Sequence, residues 1–425
     1  VWCVYLQLNY PVLIAAIFIC SIGGTFQYGF SVSVMTSPSQ FIKDLVNKSC
    51  VERYDRILMD WEVSLIWSFT VSIFCFGGLL GSLVASSISS RFGRKRCLLV
   101  NNFWAILGAI LMISTRTANS FEMIMVGRFL YGINSGVGLS AQTMYLTESS
   151  PKNLRAMVGV TIATALAIGK FCGQLLGIRE LLGTEKSWPW LLGFNGFIAL
   201  FQFCTLPLLP ESPRFLLLER GDLQASENAF RKLWGKKDYS KEVVEMLEEK
   251  AALQSIRSCS VLELIQNRTV RWQVLTIVIV FFALQFSGIN AVYFYSFDVF
   301  RAAGIQEHRL AYAALGTGLC ELTTSIGCVS PPSLIFTYYL LTFHTCKLIY
   351  HFKCFQENLG NFCFLIFLAV CLICGFHVRF NVPETKARTA LEVSAEFDRM
   401  HAKDKTSQKK NSSKICEIKA QETKL

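Results

Sequence analysis

The feature that most constrains this chain is a series of apolar runs, each about 20 residues long, separated by short clusters of charge. Coiled as α-helix at about 1.5 Å per residue, a run of that length crosses the roughly 30 Å hydrocarbon core of a bilayer. Inside that core each backbone N–H and C=O must find its partner within the same segment, so such runs fold as helices. Composition agrees, with 17% charged and 52% hydrophobic residues, against about 25% charged in an average soluble domain. The chain is expected to be an all-α polytopic membrane protein. A disordered chain, a collagen-like repeat and a small disulfide scaffold are excluded.

Spans are expected at about 11–34, 64–86, 97–115, 121–146, 157–178, 188–209, 273–298, 310–329 and 361–381, with a tenth candidate at 332–350. The block Arg91-Phe92-Gly93-Arg94-Lys95-Arg96 joins the second and third spans and, by the positive-inside rule, faces the cytoplasm. Alternation then puts Pro151 to Arg155 and the polar segment 214–271 on the same side. It puts the sequon Asn47-Lys48-Ser49 on the other side, where glycosylation of Asn47 is chemically accessible. The net charge of +11 sits beside apolar runs and forms no continuous basic face, so no nucleic-acid partner is expected. The 16 cysteines are scattered, many inside apolar runs, as small hydrophobes. Cys371 and Cys374 have CxxC spacing but lack the flanking ligands of a metal site.

Six domains are expected: an N-terminal six-span bundle over 1–213, a linker over 214–271, spans seven and eight over 272–329, an atypical insert over 330–354, the last span with its cytoplasmic end over 355–397, and a basic disordered tail over 398–425. The linker carries 11 Lys/Arg and 9 Asp/Glu. Glu242, Glu245, Glu248 and Glu249 suggest short amphipathic helices there, a solvated linker being the alternative. The sixth span closes on Pro210-Glu211-Ser212-Pro213-Arg214 and the last on Pro383-Glu384-Thr385-Lys386, which reads as two duplicated halves. The second half is shorter than the first by about 90 residues, roughly three spans with their loops.

Polar groups inside spans are costly and point to function. Gln27 and Ser31 lie in the first span, Asn101 and Asn102 in the third, Gln174 in the fifth, and Gln285 and Asn290 in the seventh. An amide both donates and accepts, which suits a ligand covered in hydroxyls; the alternative is that these amides join helices to one another. Arg128 and Glu148 are expected near the cytoplasmic end of the fourth span. Arg91, Arg94, Glu148, Arg155, Glu211 and Arg214 are expected to form one charged network there, closing an inner gate when intact; the alternative is that these charges set topology only. Lys170, inside the fifth span, has no evident partner, although an ammonium at mid-bilayer costs roughly 3 kcal/mol.

In order along the chain stand Gln27-Tyr28-Gly29-Phe30, Arg91 to Lys95, Gly127-Arg128-Phe129, Met144 to Glu148, Pro151 to Arg155, Gln174, Pro210 to Arg214, Ser287-Gly288-Ile289-Asn290 and Pro383 to Lys386. These stretches resemble the facilitative hexose transporters, sugar porters of the major facilitator superfamily. The resemblance implies a major facilitator fold, here a six-helix N-terminal bundle plus an incomplete C-terminal bundle, working by alternating access with no cofactor. It also implies sugar contacts at Gln174, Gln285 and Asn290, and outer-gate aromatics at Tyr293 and Phe294.

The departures are informative. Proton-coupled sugar porters resemble this chain but carry an Asp where Ser31 stands, which implies passive uniport here. Phe281-Phe282-Ala283 and Leu284 resemble the fructose- and urate-handling branch. After Val329 the family pattern stops; Pro331-Pro332 and the stretch through Phe352 replace spans nine to eleven. Two readings follow. One is a plasma-membrane hexose uniporter. The other is a non-transporting relative that acts by association with full-length relatives. No nucleophile–base set, metal cluster or phosphate loop suggests an enzyme.

Overall fold

The structure is a computed structural model. It describes residues 10–235, 239–254 and 304–327, shorter helical pieces at 274–279 and 372–377, and the isolated positions 282, 293–294, 296–297, 300–301, 369, 380 and 399. The insert and almost all of the basic tail lie outside the described residues, as do Gln285, Asn290 and Cys371. Two compact units are present, Val1–Gln254 with Ala291–Cys354, and Ser255–Asn290 with Phe355–Leu425.

In the first unit, α1 covers Pro11–Ser33, with Pro11 at the first helical position where its missing N–H costs nothing. Its middle turn, Ile22–Phe26, widens to a π-helix. Gln142 reaches across and accepts the Thr25 N–H at 2.7 Å, taking the donor out of the α-helical ladder. An amphipathic helix, α2 (Ser39–Tyr54), fills the first loop and carries the exposed Asn47. The next two, α3 (Asp60–Phe92) and α4 (Arg94–Ala118), meet in a turn at Gly93, whose φ of 102° favours glycine.

The 28-residue α5 (Glu122–Ser149) packs between α3 and α4. It meets α3 through Gly132 and Gly136, and a Cβ on Gly132 would lie 2.2 Å from the Phe74 carbonyl oxygen. Then come α6 (Arg155–Leu176) and α7 (Trp188–Thr205). Gly169 and Gly173, one turn apart on α6, bring its backbone against α1. Among the described residues, five helices have the length and hydropathy to cross a membrane: α1, α3, α4, α6 from Met157, and α7 continued to Leu208. The fourth span expected from sequence order, α5, is long enough at about 42 Å, but Arg128, Asn134 and Gln142 lower its hydropathy. Large apolar side chains such as Phe18, Leu65, Phe69, Phe103 and Phe201 point outward, as a lipid-facing surface requires.

Three helices follow the Pro210 segment: α8 (Pro213–Leu218), α9 (Leu223–Trp234) and α10 (Ser240–Gln254). Phe230 and Trp234 of α9 bury against the foot of the bundle, and the Trp234 indole donates to the Ser149 carbonyl at 2.9 Å, satisfying the open end of α5. Last, α11 (Leu310–Gly327) packs along α6. In the second unit, 274–279 and 372–377 are helical, and Thr276 Oγ1 lies 3.4 Å from His377 Nε2.

Candidate functional site

Between α1, α5 and α7 the first unit encloses a polar interior. The Asn134 amide donates to Gln27 Oε1 at 2.7 Å, and the Asn195 amide to Ser31 Oγ at 2.6 Å. Arg128 donates to the Ser31 carbonyl at 2.7 Å and lies over the Phe74 ring at 4.3 Å. This corrects the expectation that placed Arg128 near the cytoplasmic end of the fourth span, beside Glu148. It stands 20 residues before Glu148 on the same helix, about 30 Å away along the axis, and it engages the opposite end of α1. Gln27 and Ser31 are fully buried and committed to these helix partners.

At the end that carries Arg91 to Arg96, charges converge on the α3–α4 turn. Arg94 is buried and pairs with Glu148 at 2.9 Å and with Glu219 at 2.7 Å, above the Phe215 ring at 4.9 Å. The second Glu148 oxygen accepts from Ser212 Oγ at 2.5 Å. Glu211 accepts the backbone N–H of Lys95 at 2.9 Å and that of Ser212 at 3.0 Å, while Lys95 Nζ reaches the carbonyls of Pro207 and Leu209 at 2.8 and 2.6 Å. The carboxylate of Glu211 lies against Gly93, where a Cβ would approach it to 2.5 Å. The network thus ties α3, α4, α5 and α8 together. Arg155 bonds the Ser150 carbonyl at 3.3 Å, Arg214 is half-buried at the start of α8, and Arg91 is exposed. Ser212 and Glu219 are members that sequence reasoning missed; Glu219 sits only five residues beyond Arg214, in the same charged stretch.

A third constellation joins α6 to α11. The two helices run antiparallel; three polar pairs link them in order, and a fourth ties α11 to Glu180 in the turn after α6. Ser325 Oγ donates to Thr164 Oγ1 at 3.3 Å, Lys170 Nζ to Glu321 Oε1 at 2.8 Å, Gln174 Nε2 to Thr317 Oγ1 at 3.5 Å, and the Tyr312 hydroxyl to Glu180 at 2.8 Å. The Tyr312 hydrogen bond holds the exposed Glu180 carboxyl below its ordinary range. Tyr293 closes the set: its hydroxyl donates to the other Glu321 oxygen, and its ring lies 4.3 Å from the Lys170 ammonium. Sequence reasoning left Lys170 without a partner. The signal was present, because Lys170 and Glu321 are each the only charged residue in the runs 157–178 and 310–329.

Gln174 also lines a cleft between α1, α6 and α11, together with Ser33, Ser37, Phe297 and Ala311. Its Oε1 is buried and has no hydrogen-bond partner among the described residues. The cleft holds about 10 Å³ of free space, room for about one water molecule and far below the roughly 300–1,000 Å³ of ordinary small-molecule sites. Ser37 Oγ, bonded to the Gly177 carbonyl, closes it on one side. Phe294 is half-buried beside Tyr293.

Helices of this length carrying buried amides, a paired intramembrane lysine and a charged turn at one end are what a carrier of polar solutes requires. The Sugar (and other) transporter family model matches residues 16–330. The chain belongs to that family. This sugar porter is 34% identical over 467 aligned positions to the facilitated glucose transporter member 5 of Bos taurus, covering 92% of this chain and 93% of the relative. It is 43% identical over 314 positions to member 9 of Mus musculus, covering 74% of this chain and 58% of that protein. Against human member 11 the identity is 43% over 315 positions, covering 74% and 64%.

The fold of this sugar porter matches the XylE proton:xylose symporter of the major facilitator superfamily, solved with 6-bromo-6-deoxy-D-glucose. The TM-score is 0.72 at 16% identity, over 91% of this chain and 99% of the other. The major facilitator fold is thereby shown, and the chain is a multi-pass membrane protein of a family of transporters, not of enzymes. The family match stops at 330, one residue before Pro331-Pro332. The alignment to the bovine relative is longer than the 425 residues of this chain, so it opens gaps within it.

Proposed function

We propose that this sugar porter carries out facilitative uniport of a hexose, fructose-like or glucose-like, across the plasma membrane by alternating access. The observation that carries the proposal is Gln174, buried beside a shut cleft with its Oε1 unpaired and ready to accept from a hydroxyl. Gln174, Gln285 and Asn290 would contact the sugar, with Gln27 and Ser31 behind them and Tyr293 and Phe294 as the outer gate. Arg94, Glu148 and Glu211, with Arg91, Arg155 and Arg214 at the rim, would close the cytoplasmic end. In that orientation the linker and tail are cytoplasmic and Asn47 is an external glycosylation site. Ser31 offers no carboxyl group to carry a proton, which supports uniport. The relatives are named as glucose transporters, and the resemblance of Phe281 to Leu284 to the fructose- and urate-handling branch puts fructose and urate beside glucose among the solutes to test.

Radiolabelled fructose, glucose and urate uptake into proteoliposomes, with and without an imposed proton gradient, tests this. Equilibration without accumulation is expected; gradient-driven accumulation of sugar overturns uniport. One observation favours a second reading, a non-transporting partner of full-length relatives: the family match breaks off where spans nine to eleven should begin. Absent uptake, combined with reduced transport by a co-expressed full-length relative, establishes that reading.

A further inference from the structure

Three pairs hold α11 on α6 and a fourth ties it to the turn after α6, and they are not equivalent. The Thr164–Ser325 and Gln174–Thr317 pairs are neutral, at 3.3 and 3.5 Å, and their hydroxyls and amide can exchange partners with water or a ligand at little cost. The Glu180–Tyr312 pair lies at the exposed end. The Lys170–Glu321 pair sits between the neutral two, with the lysine side chain 6% exposed and the glutamate side chain 28% exposed. Both carboxylate oxygens of Glu321 are occupied, one by Lys170 and one by Tyr293, and the Tyr293 ring faces the ammonium. The set is electrically closed in this arrangement. Parting the helices leaves two opposite charges without partners in a low-dielectric setting, where that separation is most unfavourable.

We propose that Lys170, Glu321 and Tyr293 form an intramembrane latch that fastens α11 to α6 and has to part each time the path beside Gln174 opens. Geometry links the latch to the cleft. Gln174 follows Lys170 by one helical turn on α6, and Thr317 precedes Glu321 by one turn on α11. A polyhydroxylated ligand that donates one hydroxyl to the free Gln174 Oε1 and accepts from Gln174 Nε2 with a second displaces Thr317 from that amide, and so loosens the pair adjacent to the latch. The latch is built entirely from residues before 330, and spans nine to eleven contribute nothing to it. This inference rests on the alternating-access reading, and the two are tested separately.

Hydrogen exchange, read by mass spectrometry on the whole chain in lipid nanodiscs, follows peptides covering 164–176 and 310–327. Lys170→Met and Glu321→Gln are each expected to raise exchange in both peptides by about tenfold. Lys170→Arg leaves it unchanged, and the charge swap Lys170→Glu with Glu321→Lys restores most of the protection. Unchanged exchange in both single variants, or a swap as loose as they are, overturns the latch. In a second arm, Lys170→Cys with Glu321→Cys is bridged by a short methanethiosulfonate cross-linker. With Cys75, Cys172, Cys204 and Cys320 replaced by Ser in both chains, bridging stops uptake and dithiothreitol restores it, while the chain that keeps Lys170 and Glu321 is unaffected by either reagent. Uptake that continues through the bridge overturns the requirement that the latch part. If the unsubstituted chain takes up no solute, the uniport reading falls and the exchange arm alone decides the latch.

Discussion

The sharpest quantitative test of the charged turn is a double-mutant cycle on Arg94 and Glu148. Their side chains are 6% and 12% exposed, and Arg94 also holds Glu219, whose side chain is 35% exposed. Arg94→Met leaves the Glu148 carboxylate with the Ser212 hydroxyl but without its cation, and removes the cation from the Phe215 face. Breaking a buried pair from one side costs about 3–5 kcal/mol. Glu148→Gln keeps the side-chain shape and leaves Glu219 beside Arg94, which lowers its cost to about 2 kcal/mol. In the double variant no buried charge at these two positions lacks a partner, so its loss should fall short of the sum by about 1–3 kcal/mol. At about 2–4 °C per kcal/mol for a unit of this size, Glu148→Gln alone lowers Tm by roughly 4–8 °C. The assay is fluorescence-detected gel filtration of the four chains after stepwise heating in one detergent. Losses that add to within about 0.5 kcal/mol would show that the two residues are not energetically coupled, and the network would then be a set of independent surface charges.

Two further outcomes follow from local geometry. Gly93→Ala puts a Cβ 2.5 Å from Glu211 Oε2 at a φ of 102°, so the α3–α4 turn should lose roughly 1–3 kcal/mol, read as a lower Tm in the same heating assay. Glu180 is held below its ordinary value of 4.5 chiefly by the Tyr312 hydroxyl, so its contribution is complete above that value and is lost as pH falls through the lower folded value. Intrinsic-rate-corrected exchange at the first turn of α11 should therefore rise on acidification below pH 4.5 in the native chain, and Glu180→Gln should abolish that rise.

Much of this was legible in the sequence because the same physics acts at both levels. Transfer of an apolar run into lipid depends on its length and hydropathy, and α1, α4 and α7 fall close to the runs at 11–34, 97–115 and 188–209. Where hydropathy ends but helix does not, the sequence reading stops early: α3 extends to 60 and 92, beyond 64–86, because its polar ends continue the helix past the apolar stretch. The helix α2 was hidden in a first loop whose mixed polarity carries no spanning signal. Arg128 and Glu148 look like neighbours among the motifs, yet a straight helix keeps them about 30 Å apart. Lys170 is the reverse case. Its partner lies 151 residues away, and only tertiary packing brings Glu321 to it.

That distant pair bears on the shortened second half. The sequence departs from its family after 329, yet α11 reaches α6 and the turn after it through four polar pairs that need no residue beyond 327. The docking of α11 is therefore independent of whatever stands in place of spans nine to eleven, and under the proposed function their loss bears on the substrate site instead. The two functional readings then predict different combinations of the same two measurements. A protected α6–α11 seam together with uptake describes a uniporter working with a reduced site. A protected seam without uptake describes a folded partner that has kept its latch and lost its substrate site. An unprotected seam in the native chain contradicts both, because each requires α11 to be held where Glu321 meets Lys170.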